Sequence, residues 1–257
     1  SKKTKSFGYQ VLGFGAGGVS FTYIEASVSG TCNAITTSGD YKIATFVNPG
    51  TFTVCSTGTP TGSDTVDYLV VAGGGGGGTH RGSAGGAGGL RESSGTASGS
   101  YTVSPLGACV SALPVAATGY PIVVGAGGAG GYPPSTGNGV SGSASSFSTI
   151  PSAGGGYGVS GGASAAAGGS GGGGGVAAGA GNTPPVSPPQ GNPGGNYYNA
   201  SYTGAGAGGG GALAVGGNAS ASTGGAGGGG ATSSINATPT ARAGGGGGGG
   251  DGRGGAS

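Results

Sequence analysis

A single histidine, His80, stands in 257 residues, next to an arginine in Gly78-Thr79-His80-Arg81-Gly82-Ser83. A general base needs a neighbour that orients it, and no acidic residue accompanies this pair, so the segment reads as a solvated loop. The carboxylates Glu25, Asp40, Asp64, Asp67, Glu92 and Asp251 are scattered along the chain. Asp64 and Asp67 are the nearest pair. They precede a strand-like segment and suit a turn better than an acid/base couple. Cys32, Cys55 and Cys109, even with His80 added, match no zinc-ligand spacing. Gly13-Phe14-Gly15-Ala16-Gly17-Gly18 fits G-x-G-x-x-G. An alternating apolar segment follows it where a dinucleotide fold requires a helix. These residues assemble no enzyme, and neither a cofactor nor a metal is expected.

The residues suited to recognition are tyrosines. Tyr197, Tyr198 and Tyr202 cluster with Asn196 and Asn199 in the longest interruption of the glycine-rich region, residues 182–204, and Tyr132 opens another at 131–139. Tyr offers rigid amphipathic area and Asn adaptable hydrogen bonds, a composition shared with antibody paratopes. Loops on a rigid scaffold are where binding concentrates. Tyr132, Tyr197, Tyr198, Asn199 and Tyr202 are therefore the receptor-binding candidates, against the plainer reading that they cap the scaffold. Asn199, Asn218 and Asn236 begin Asn-x-Ser/Thr triplets, relevant only to a eukaryotic secretory route. The net charge of +2, with Lys2, Lys3 and Lys5 at one end and Arg242 and Arg253 flanking Gly244–Gly250, implies no nucleic-acid partner. No apolar run approaches a membrane span. Cys32 and Cys55 are candidates for a disulfide or for two free thiols; a bridge would suit an oxidising environment.

What must position such loops is a chain with 75 glycines, 14 prolines and only 5% charged residues. Disorder normally travels with high charge, which is missing, so the glycine reads as buried backbone. Helix is nearly excluded, because each Gly costs about 1 kcal/mol relative to Ala inside one. Residues 1–72 contain ten of the glycines and most of the strand signals. The stretch 19–28 alternates with Val19, Phe21, Tyr23 and Glu25 on one face. The stretches 41–47 and 51–55 read as a hairpin across Asn48-Pro49-Gly50, and 66–72 reads as a strand buried on both faces. The expectation is an all-β chain with essentially no α-helix: a small antiparallel β-domain over 1–72 for assembly or attachment, then a glycine-rich unit over 73–257.

In that second unit, unbroken runs such as Gly73–Gly78 and Gly244–Gly250 rule out the strict every-third-glycine rule of collagen. Silk-like Gly-Ala alternation appears only briefly, at 203–208. The remaining solid is a bundle of polyglycine II helices, extended and three-fold, close to polyproline II at about 3.1 Å per residue. Their N–H and C=O groups point outward to several neighbours, and only glycine fits where the backbone is surrounded. Gly73, Gly75, Gly77, Gly173 and Gly247 are expected in the packed interior. The segments 131–139, 182–204 and 232–242 are expected as exposed loops.

The blocks VDYLVVAGGGGGG (66–78), GGAGGL (85–90), YPIVVGAGGAG (120–130), NGVSGSASSF (138–147), AGGGYG (153–158), PPVSPPQGNPGG (184–195) and GGAGGGGATSS (224–234) follow one another in an order that resembles the glycine-rich domains of bacteriophage and marine viral structural proteins. The resemblance covers roughly residues 35–257. It implies a virion-surface component of the tail-fibre or fibre-tip adhesin type, partnered by copies of itself or other virion proteins and by a host-surface glycan or protein. A filament subunit or capsid decoration without a receptor is the alternative.

Overall fold

The computed structural model describes residues 22–58, 64–95, 101–107, 110–132, 137–200 and 203–250. Cys109, Tyr202, Asp251, Arg253 and the first 21 residues lie outside these. Among the described residues the chain is all-β, with one 3₁₀ turn at Pro105–Gly107, and no helix is long and apolar enough to cross a membrane.

The strands are β1 (Glu25–Val28), β2 (Ala34–Ser38), β3 (Tyr41–Thr45), β4 (Gly50–Ser56), β5 (Thr65–Val66), β6 (Leu69–Val71), β7 (Leu90–Glu92), β8 (Leu113–Pro114), β9 (Gly119–Val123), β10 (Ser145–Phe147), β11 (Ile150–Ser152), β12 (Tyr198–Ala200), β13 (Thr203–Ala205), β14 (Ala231–Ser233) and β15 (Thr240–Arg242). The largest sheet runs β1-β4-β9-β10-β11 and is antiparallel throughout. It draws β9, β10 and β11 from beyond residue 72, so the sheet bridges the expected division at that residue.

Ile24, Ala26 and Val28 pack on the core of Phe52, Val54 and Val115, while Tyr23 is 74% exposed. The inward face of the first strand is thus the even-numbered one, not the face that carries Tyr23 and Glu25, both of which are exposed. Phe147 is the hub of the core, meeting Phe52, Tyr68 and Tyr120 edge-on at centroid distances of 6.0, 6.4 and 6.2 Å. Aromatic pairs prefer this geometry because a ring's positive edge meets a negative face.

The expected hairpin between 41–47 and 51–55 does not form. β3 pairs instead with β2, from Ala34↔Thr45 to Ser38↔Tyr41, turning at Gly39 with φ +57°. Glycine adopts that left-handed conformation without a Cβ penalty. Asn48 and Pro49 then carry the chain to another sheet, pinned by Asn33. Its Nδ2 donates to the Ser29 and Asn48 carbonyls (2.8 and 3.0 Å), and its Oδ1 accepts from Val47 and Asn48 (3.0 and 3.1 Å). Cys32 and Cys55 are separate, exposed thiols rather than a bridge. Thr31 bonds to Asn48 near the start of β4, whereas Cys55 lies near that strand's far end. At about 3.3 Å per residue the separation along β4 exceeds the reach of a disulfide.

The glycine runs pair with a three-residue repeat rather than the two-residue repeat of a β-ladder. The N–H groups of Ala72, Gly75 and Gly78 donate to Gly89, Gly86 and Ser83; those of Gly73, Gly76 and Thr79 donate to Ser143, Val140 and Gly137. The carbonyls of Gly74 and Gly77 accept from Gly128 and Gly131, and those of Gly73 and Gly76 accept from Gly155 and Gly158. One extended run therefore bonds to four neighbours.

Side-chain space follows the same repeat. A Cβ on Gly73 or Gly76 would press into the Ala126 or Ala129 carbonyl, and one on Gly75 or Gly78 into the backbone of Gly156 or Val159, all closer than 3.0 Å. Gly173 is equally confined, 2.5 Å from the Ala207 oxygen. Two of the expected interior glycines, half-buried Gly77 and exposed Gly247, are not closed in by backbone. A Cβ on Gly77 would stop 3.5 Å from Ser83 O, and one on exposed Gly247 would stop 4.0 Å from Gly225 O. Only two of the three directions around these runs are closed by backbone, which a run of identical residues cannot reveal.

Candidate functional site

The direction of each run sorts the turns into two ends. β9 leads into the run 125–131, β10 and β11 lie between the runs ending at 143 and beginning at 153, and β14–β15 joins the runs 224–230 and 243–250. These mark the base. At the opposite end, the tip, the described residues of the turns are 79–82, 132, 137–138, 160–163, 175–177, 196–200, 203–204 and 218–223.

The tip turns brace one another. Thr79 N–H donates to Gly137 O (3.1 Å) and Gly137 N–H returns a bond to Thr79 Oγ1 (3.0 Å). Ser160 N–H donates to Asn138 Oδ1 (3.0 Å), Asn196 N–H to Asn218 Oδ1 (2.8 Å), and Tyr197 N–H to Gly174 O (2.6 Å). Within this frame Tyr132 is 81% exposed and Val176 is 80% exposed. His80 is exposed too, and it and Arg81 both hold φ near +50° (49° and 55°). Non-glycine residues enter that region rarely, and such positions cluster in turns and functional sites. Tyr197 is half-buried, and Tyr198 and Asn199 belong to the β12–β13 hairpin. The structure brings these three to the end that carries Tyr132. It also adds His80 and Arg81, which the sequence offered only as a solvated loop, and Val176, whose only sequence signal was its place at the end of a run.

The interruption at 182–204 is not one loop. Residues 191–196 form a bundle run, with Asn192, Gly194 and Gly195 donating to Gly211, Gly179 and Gly208. The proline-rich stretch before it lies at the base, wrapped on Gln190, whose side chain is 1% exposed. Gln190 Oε1 accepts from Ala153 N–H and its Nε2 donates to Pro184 O, both at 2.8 Å. The segment 232–242, expected as a loop, is largely the β14–β15 hairpin.

That hairpin helps close a second concavity at the base. A cleft of about 940 Å³ lies between β2–β3, β6 and β14–β15, lined by Tyr41, Phe46, Tyr68, Phe147, Ile235 and Arg242 among others. It escaped sequence reading because its walls come from stretches far apart in the chain, from residues 38–47 to Arg242. Beside it, Asp67 Oδ1 accepts from Ser93 Oγ (2.6 Å) and Gly95 N–H (3.1 Å), and buried Glu92 accepts from Ser104 N–H (3.0 Å). Both carboxylates hold backbone in place.

Burial raises the phenol pKa of Tyr68 and, more strongly, of Tyr101, the nearby Asp67 adding to both shifts. Above pH about 10 an unfolded chain sheds these protons while the folded chain keeps them, so folding stability falls as pH rises through that value. A melting series from pH 8 to 11 is expected to show this loss, and Tyr101→Phe to reduce it.

No curated protein and no solved structure matches this chain. A family model described as a glycine-rich domain matches residues 47–257, from the approach to β4 through the last glycine run and beyond. With the matched span covering four of the five strands of the large sheet and the three-residue-repeat bundle, the chain belongs to the glycine-rich domain family.

Proposed function

We propose that this chain is a non-enzymatic structural protein of a fibre or adhesin, carried on the surface of a virion and touching a host-surface glycan or protein through its tip. The observation that carries the reading is the convergence of Tyr132, Tyr197, His80 and the β12–β13 hairpin at one end of the bundle. The large sheet at the other end is then free to join a carrier chain or further copies. The three-residue repeat supports reading the bundle as polyglycine II, an extended rod that stiffens and spaces the tip. Side-chain-free packing lets many turns sit close together, and the turn-to-turn hydrogen bonds limit the ordering cost of binding.

Adsorption to host envelope extracts tests this. Tyr132→Ala is expected to leave the chain folded, because the residue is 81% exposed, and to weaken adsorption by about 2 kcal/mol, roughly thirtyfold, as for an aromatic interface anchor. Replacing 184–188 by a glycine-serine loop at the base is expected to leave adsorption intact. The reverse pattern, with base changes abolishing adsorption and tip changes harmless, would remove the tip as the contact surface.

A further inference from the structure

A groove of about 560 Å³ runs along the bundle, floored by residues 82–87 and walled by 74–78 and 244–249. In a trans peptide the carbonyl and the following N–H point in opposite directions, so known bonds locate the free groups. Ala84 O accepts from Gly173, which sends Gly85 N–H the other way, toward the groove. Gly76 N–H goes to Val140, which turns Gly75 O to the groove; Gly245 and Gly248 N–H go to Gly228 and Gly225, which turns Gly244 O and Gly247 O there. Among the described residues the N–H groups of Gly82 and Gly85, and the carbonyls of Gly75, Gly78, Gly244 and Gly247, make no hydrogen bond. The groove thus offers acceptors on both walls and donors on its floor.

Its walls are also bare where the fold does not require it. A Cβ on Gly74, Gly77 or Gly249 would find its nearest neighbour at 3.5 Å, ordinary contact, yet all three are glycine. Glycine loses more freedom on folding than any other residue, and within extended backbone it marks a place where another backbone approaches closely.

We infer that this groove receives one extended, glycine-rich strand of a different polypeptide, docked backbone to backbone. An extended chain of three residues per turn alternates donors and acceptors around its circumference, as the run 73–78 does here, and so supplies N–H to both walls and C=O to the floor. A side chain on its inward face would collide with walls that have no side chains to move aside.

The test uses the full chain and a fluorescein-labelled peptide of residues 243–250 with lysines added at each end. Anisotropy is expected to rise saturably, and amide exchange at Gly82 and Gly85 to slow on binding. The same peptide with every third glycine replaced by valine is expected not to bind. Gly77→Val, which fills the groove, is expected to weaken binding by about tenfold or more; should it fail to fold, Gly249→Val enters from the opposite wall. Equal binding by wild type and a folded groove variant, or no change at the Gly82 and Gly85 amides, overturns the inference. So does a dimer, seen by sedimentation without peptide, that Gly77→Val abolishes, since the occupant would then be a second copy.

Discussion

Gly75→Val is expected to abolish the folded bundle, and Gly77→Val, two residues along the same run, to leave it standing. The contrast rests on what each new side chain meets. At Gly75 the Cβ alone would intrude on the Gly156 carbonyl carbon and oxygen and on the Gly155 oxygen. Those atoms are fixed backbone: Gly156 N–H donates to Ser170 O, and Gly156 O accepts from Gly86 N–H. Overpacking an ordinary core costs about 1–3 kcal/mol because side chains shift to make room. Here no side chain can shift, so relief means parting two runs and their hydrogen bonds at about 1 kcal/mol net for each. Gly75→Ala should therefore also be severe. Limited proteolysis and thermal melting of the variants check this. A Gly75→Val protein with wild-type protease resistance and melting temperature would show that backbone packing does not hold this region.

Gln190→Leu is expected to destabilise the chain by about 2–4 kcal/mol. Gln190 is 1% exposed and ties three parts of the base together. Its side chain bonds to Ala153 N–H and Pro184 O, its own N–H donates to Asn182 Oδ1 (3.2 Å), and its carbonyl accepts from Leu90 N–H (2.9 Å). Leucine has a similar volume, so the loss isolates the hydrogen bonds: Ala153 N–H is left without its acceptor, and an unmet buried donor costs more than the bond itself was worth. Gln190→Glu sharpens the test. A carboxylate can still accept from Ala153 but must set its other oxygen against the Pro184 carbonyl, so the variant should be weak at neutral pH and recover as acid protonates it. Denaturant melts of both variants across pH measure this; a Gln190→Leu protein as stable as wild type would show that the base loop contributes nothing.

Much of the architecture was legible in the chain. The absence of α-helix among the described residues followed from glycine's propensity, and the all-β class from short alternating segments. The close packing of Gly73, Gly75 and Gly173 followed from there being nothing else for such runs to do. Pairing was not legible. The stretch 41–47 carries the same alternation whichever partner it takes, and Gly39 with Asn33, not Asn48-Pro49-Gly50, decided in favour of β2. Tyr132 and Tyr197 were readable as candidates from residue type alone, whereas His80 and Val176 gained significance only from the end of the bundle on which they fall.

By itself, then, the sequence determined the materials: backbone-rich segments that must satisfy their own N–H and C=O groups, few side chains to bury, and interruptions that must turn the chain. Only the tertiary structure decided which glycines are indispensable, which turns share an end, and where a groove remains open. The physical reason is that glycine carries no side chain to mark direction. Identical residues in one run differ only in what surrounds them, and those surroundings come from distant runs that no local pattern specifies.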